Sequence, residues 1–145
     1  MRMRKKKHGD ERRAQLSHML ITADTLKPGT ARGLFAHPER PLCLEIGCGK
    51  GAFISGMAER NPDVGFIAVE KIADVIIVAA EKIKRSEMDN VRFLCCDAVN
   101  LEQIFPPNCF ERIYLNFSDP WPKARHAKRR LTYRAMLERF KNLLS

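Results

Sequence analysis

An open α/β fold built on a parallel sheet is predicted for this chain, on three observations. Short apolar runs alternate with stretches of helical periodicity from residue 42 to residue 144. The junction after the first run carries glycine at alternate positions, Gly47, Gly49 and Gly51. An acidic residue closes each run: Glu45, Glu70, Asp97 and Asp119. Ligands of open parallel sheets bind outside the carboxyl ends of the strands, so these four carboxylates are expected to converge on one crevice.

The elements follow in order. Residues 1–14 read as a basic arm, with Arg2, Arg4, Lys5, Lys6, Lys7, Arg12 and Arg13 against Asp10 and Glu11. Residues 15–145 read as one domain, and within it residues 15–41 carry only weak signals, with Pro28-Gly29 marking a turn. The first predicted strand starts at Leu42 and is closed by Glu45 before the glycine turn, and the helix after that turn presents Phe53, Ile54, Met57 and Ala58 and ends at Asn61-Pro62. Gly65 to Val69 is the second, closed by Glu70, with a helix marked by Ile72, Val75, Ile76, Ala79, Ala80 and Ile83. Val91 to Cys96 is the third, closed by Asp97, a candidate cap for a short helix through Leu101. Ile113-Tyr114-Leu115 is the fourth, and it must stop before Pro120 and Pro122, which lack the N–H of a sheet ladder. Thr132 then caps a last helix marked by Met136, Leu137, Phe140, Leu143 and Leu144.

Composition narrows the partners. A formal charge of +9 over 145 residues favours a polyanion. No apolar run approaches the ~18 residues of a membrane span and no signal peptide is visible. The cysteines, Cys43, Cys48, Cys95, Cys96 and Cys109, form no C-x-x-C pair, and the histidines, His8, His18, His37 and His126, show no metal-ligand spacing. A reduced, cytoplasmic protein without a metal site or a membrane partner is expected.

Chemistry concentrates after the fourth strand, in Asn116-Phe117-Ser118-Asp119-Pro120-Trp121-Pro122-Lys123-Ala124-Arg125-His126-Ala127-Lys128-Arg129-Arg130. A carboxylate beside an indole suits a planar base, and the cations behind it suit a phosphate backbone. Glu70 lies about 20 residues past the glycine loop, where a Rossmann-like fold holds ribose hydroxyls. The loop also satisfies a dinucleotide fingerprint, yet Glu45 ahead of it would repel a pyrophosphate. S-adenosylmethionine carries a sulfonium and an ammonium and no phosphate, and it suits an acid-rimmed loop better.

Taken together, Glu45-x-Gly47-x-Gly49-x-Gly51, Glu70, Cys96-Asp97-Ala98 and the string from Asn116 to Leu131 resemble the bacterial tRNA (guanine-N7-)-methyltransferases over most of the chain. The resemblance implies a class I, S-adenosylmethionine-dependent methyltransferase acting on guanine N7 in the tRNA variable loop. It implies cofactor contacts from Glu45, Gly47, Gly49, Gly51, Glu70, Asp97, Ala98 and Asp119, with Glu70 on the ribose and Asp97 on the adenine amino group. Asp119 is the implied active-site carboxylate, Lys123 a substrate contact, and Arg125, His126, Lys128, Arg129 and Arg130 the hold on RNA.

The family's fold continues beyond four strands, whereas four are read here. A truncated chain with weak or absent activity alone is therefore expected, and its open sheet edge invites self-association. Two further readings compete: a non-catalytic RNA-binding remnant of the fold, and a methyltransferase acting on an exocyclic base amine, with Trp121 stacked on a flipped base. A dehydrogenase ranks last.

Overall fold

The computed structural model describes residues 9–22, 26, 31–116, 125 and 134–145. Its strands are β1 (Leu20–Ile21), β2 (Leu42–Ile46), β3 (Gly65–Glu70), β4 (Val91–Cys95) and β5 (Arg112–Leu115). Its α-helices are α1 (Gly9–Gln15), α2 (Ala52–Arg60), α3 (Ala73–Arg85), α4 (Leu101–Ile104) and α5 (Arg134–Leu143). The strands form one sheet in the order β1-β4-β3-β2-β5, and every pairing is parallel. From β2 the chain steps outward to β3 and β4, then returns to place β5 on the other side of β2. The strand order therefore reverses between β2 and β5, the place where open α/β sheets bind ligands.

The sheet holds one strand more than the four read from the sequence. The addition, β1, pairs Leu20 with Phe93 and Ile21 with Leu94 at the far edge of β4. Two residues cannot carry a period-2 signal, so pairing rather than pattern makes this a strand.

Both faces of the sheet are covered, which is why the central strands read as continuous apolar runs. All five residues of β2 are buried, as are the first five of β3. On one face, Leu44, Ile46, Ile67, Val69 and Leu94 pack against α4 and α5 through Leu101, Met136, Phe140 and Leu143. On the other, Cys43, Phe66, Ala68, Val91 and Phe93 pack against Ile54 and Ala58 of α2 and Ile76, Ala80 and Ile83 of α3. Phe66, Phe93, Phe105 and Phe110 are almost wholly enclosed, each stabilising the fold by about 1.5–3 kcal/mol relative to exposure.

Local chemistry sets the helix ends. The Asn61 amide Nδ2 and its backbone N–H both donate to the Met57 carbonyl, closing α2 just before Pro62. The end of α5 is tied to the entry of β5: Phe110 donates to the Leu143 carbonyl and Ser145 to that of Phe110. At the other terminus, residues 9–15 are helical, and Arg12 makes a two-pronged ion pair with Glu81 of α3. Residues 1–8 of the expected basic arm, and Thr132, lie outside the described residues. Among the described residues no helix is long and apolar enough to cross a membrane.

Candidate functional site

The strand ends line up. Ile46 sits opposite Val69 and Leu115, and Glu70 opposite Cys95, so the loops after β2, β3, β4 and β5 leave one edge of the sheet together. The glycine loop turns on three residues with positive φ, Gly47, Gly49 and Gly51. The loop begins while still tied to β3, because Gly47 and Cys48 both donate to the Val69 carbonyl. Gly51 is needed for a reason besides φ: a Cβ there would lie 2.9 Å from the Cβ of Ala79, so α2 can start against α3 only without one. Its Cβ-free position serves helix packing, while Gly47 and Gly49, both half-buried, form the turn ahead of it.

Glu70 is half-buried at the end of β3, and one of its carboxylate oxygens accepts from Gly49 N–H at 3.3 Å. Loop and acid are thereby held as one unit. Asp97, exposed beyond β4, accepts from Val99 N–H at 3.1 Å and caps the 3₁₀ turn Ala98–Asn100 as the sequence suggested.

Glu45 differs from the expectation. It does not close its strand at the rim: it is the fourth residue of β2, in register with Ala68 and Tyr114, and 0% exposed. Alternation along β2 gives it the face of Cys43, under the start of α2, where Phe53 leans on Tyr114 with ring centroids 5.3 Å apart. Neither of its oxygens has a hydrogen-bond partner among the described residues. Burial, and then the charge of Glu70, push its carboxyl up to about 8. The Cys48 thiol beside the same loop is pushed up as well, by burial first and then by Glu45 and Glu70.

The carboxylates thus sit at two depths, with Glu70 and Asp97 at the rim and Glu45 beneath it. Asp119, Lys123, His126, Lys128, Arg129 and Arg130 lie outside the described residues, and Arg125 is exposed. Sequence reasoning passed over three residues. Ile72 and Val99 are large apolar side chains 42% and 46% exposed, each two positions beyond a rim acid. Asn116, directly after β5, has a buried amide nitrogen with no partner among the described residues. Single exposed apolar residues are ordinary; only their repeated spacing from an acid singles these two out.

A shallow, open depression lies at the opposite end of the strands, lined by Arg32, Phe35, Leu42, Gly65 and Asn90 among others. Its polar groups are engaged internally. Asn90 Nδ2 donates to the carbonyls of Ala58, Asn61 and Val64, and Arg32 donates to those of Pro38 and Arg40. Among the described residues, the buried side-chain polar atoms without a partner are at the glycine-loop end.

Comparison with known proteins bears on what the glycine-loop end serves. The architecture matches an antibiotic-related methyltransferase at a TM-score of 0.60 with 20% identity, over 86% of this chain and 60% of that one. It matches a Haemonchus contortus phosphoethanolamine N-methyltransferase in complex with S-adenosyl-L-methionine at 0.53 with 20% identity, over 73% of this chain and 22% of that one. The fold is the class I methyltransferase fold. Residues 39–145 match a family model described as a putative methyltransferase. The tRNA (guanine-N(7)-)-methyltransferase of Bacillus licheniformis is 44% identical over 99% of this chain and 67% of its own length, and that of Bacillus subtilis 43% identical with the same coverage. A Streptococcus pyogenes enzyme of the same name is 41% identical over 99% of this chain and 68% of its own length. The chain belongs to the tRNA (guanine-N(7)-)-methyltransferase family, and it spans about two thirds of the length of these relatives.

Proposed function

We propose that this chain binds S-adenosylmethionine beyond the carboxyl ends of its central strands and serves the methylation of guanine N7 in tRNA. The observation that carries the reading is Glu45, a wholly buried carboxyl with two unpaired oxygens beneath a glycine loop. A group left in that state rests protonated and unpaired, and a cationic or hydrogen-donating ligand would satisfy it. The acidic rim suits the same ligand, and the family relationship supports it.

S-adenosylmethionine, when bound, supplies the methyl group. Glu45 would accept from its amino-acid end. Glu70, already holding Gly49 N–H, would accept from ribose hydroxyls. Asp97 would accept from the adenine amino group, close to Ala98. Ile72 and Val99 would cover the two faces of the adenine with apolar surface, which explains large exposed side chains beside both acids.

Guanine N7 has a free lone pair and no proton to lose, so the site needs no general base. What the chain must supply is alignment and a negative charge near the purine as positive charge develops on it. Asp119 is given that second role on the sequence motif alone. Lys123, Arg125, His126, Lys128, Arg129 and Arg130 would hold the RNA backbone, with an affinity that falls steeply as salt rises. The cysteines Cys43, Cys48, Cys95, Cys96 and Cys109 are free thiols, in keeping with a cytoplasmic location. Among the described residues β5 forms one edge of the sheet, and self-association along it belongs to the same proposal. A concentration-independent monomer in sedimentation would remove that part.

The test is calorimetric titration with S-adenosylmethionine at moderate salt, paired with methyl-acceptor assays on tRNA and duplex DNA. Micromolar binding lost in Glu70→Ala is the expected result, with weak or absent methyl transfer by this chain alone and any labelling confined to tRNA rather than DNA. A folded chain that binds tRNA in a salt-sensitive way but no cofactor would replace the enzyme with an RNA-binding module.

A further inference from the structure

Asn116 has no part in the reading so far. Its backbone N–H donates to the Ile46 carbonyl at 3.0 Å, one step beyond the last register pair of β2 and β5, Ile46 with Leu115. Alternation therefore puts Asn116 on the same face as Tyr114, and Tyr114 is the register partner of Glu45. The clusters agree: Tyr114 packs with Cys43 and Cys48, whereas Ile113 and Leu115 pack on the opposite side. Glu45 and Asn116 are thus diagonal neighbours on one face of adjacent strands. They flank the position where the strand order reverses.

Among the described residues, the buried side-chain nitrogen and oxygen atoms without a partner are Glu45 Oε1, Glu45 Oε2 and Asn116 Nδ2. All three belong to this neighbouring pair. Buried polar groups in native proteins are nearly always satisfied, and exceptions call for an unseen partner. Two acceptors beside one donor, both out of water, match a ligand that presents a cation and an anion close together. An α-ammonium and an α-carboxylate on one carbon form such a group. A phosphate would use only the Asn116 donor. A guanine edge, with N1–H, N2–H and O6, offers both poles as well, and ligands with and without the amino-acid end separate the two.

We propose that Asn116 is a positioning residue for the amino-acid end of the cofactor, donating from Nδ2 to its α-carboxylate while Glu45 accepts from its α-ammonium. The inference rests on the cofactor reading above and adds a role that the motif did not suggest.

The experiment compares two ligands by calorimetry: S-adenosylhomocysteine, which has the amino-acid end, and 5′-methylthioadenosine, which lacks it. Asn116→Ala should weaken S-adenosylhomocysteine by about 10-fold or more, as expected for one hydrogen bond to a charged group. It should leave 5′-methylthioadenosine within about 2-fold, the scatter of a site with no lost contact. Asn116→Asp keeps the shape but replaces the donor by an acceptor, and it should weaken S-adenosylhomocysteine further. It also serves should the alanine variant fail to fold. Equal losses for both ligands would assign Asn116 to structure and overturn the proposal, and so would no loss at all. A wild-type chain that binds both ligands equally well overturns this inference alone. One that binds neither overturns the cofactor reading and this inference with it.

Discussion

Two buried polar side chains lie at opposite ends of the same sheet, and the structure treats them differently. Asn90, just before β4, is 8% exposed; Glu45, in β2, is 0% exposed. The Asn90 amide gathers the carbonyls of Ala58, Asn61 and Val64, fastening the end of α2 and the loop before β3. Glu45 gathers nothing. A satisfied buried group specifies structure, and an unsatisfied one is held in place at a cost to stability. The contrast divides the molecule into an end that fastens the fold and an end prepared for a ligand.

The largest expected effect is on the pH dependence of stability. Burial, with Glu70 adding to it, raises the Glu45 carboxyl from its ordinary 4.5 to about 8. Between those values the folded chain binds a proton that the unfolded chain has released. The stabilisation is complete below about 4.5 and is lost as pH rises through about 8. Denaturant unfolding of wild type and Glu45→Gln at pH 5, 7 and 9 should diverge by on the order of 3–5 kcal/mol over the range. Parallel curves would mean that Glu45 titrates like a solvated acid, and the contrast with Asn90 would collapse. Next in size is Gly51→Ala. Its Cβ would meet Ala79 at 2.9 Å, on a backbone with φ of +90°. A loss of about 2–4 kcal/mol is expected, read as a lower denaturation midpoint at unchanged slope. This result would show that one glycine of the loop after β2 belongs to the fastening half.

The same division separates what the sequence discloses from what it hides. Buried parallel strands announce themselves as apolar runs, and acids after such runs announce the carboxyl edge of the sheet. Glu70 and Asp97 were legible for that reason. Depth is harder to read. Nothing in Leu42-Cys43-Leu44-Glu45-Ile46 tells whether the fourth residue is the strand's last, and only the pairing of Ile46 with Val69 and Leu115 places Glu45 inside. The strand Leu20–Ile21 exists because β4 offers an edge to pair with, a cause located in another part of the chain. Asn116 stood in plain view at the head of a motif. Its lack of a partner is a property of the space around it, which no spacing rule encodes.

Asn90→Ala tests the fastening end directly. Removing one amide leaves the carbonyls of Ala58, Asn61 and Val64 without their shared donor, at a cost of about 2–3 kcal/mol. Cofactor affinity measured on the folded protein should not change. A variant that folds normally but binds the cofactor poorly would show that the two ends are coupled.

The smallest expected effect is the most selective. Ile72 and Val99 are 42% and 46% exposed, so a serine at either position removes little buried surface, and unfolding free energy should stay within about 0.5 kcal/mol. If the two side chains cover the adenine, each change removes apolar contact from the bound state only. Affinity for S-adenosylhomocysteine should then fall about 5–10-fold, close to 1 kcal/mol. Leu137, on α5 and 43% exposed, is the matched control: Leu137→Ser should alter neither stability nor affinity. Unchanged affinity in Ile72→Ser and Val99→Ser would reduce them to ordinary surface residues and leave the ligand end defined by its acids and Asn116. A selective loss would extend that end from the strands onto the loops that follow them, where exposure is no burden because the ligand completes the surface.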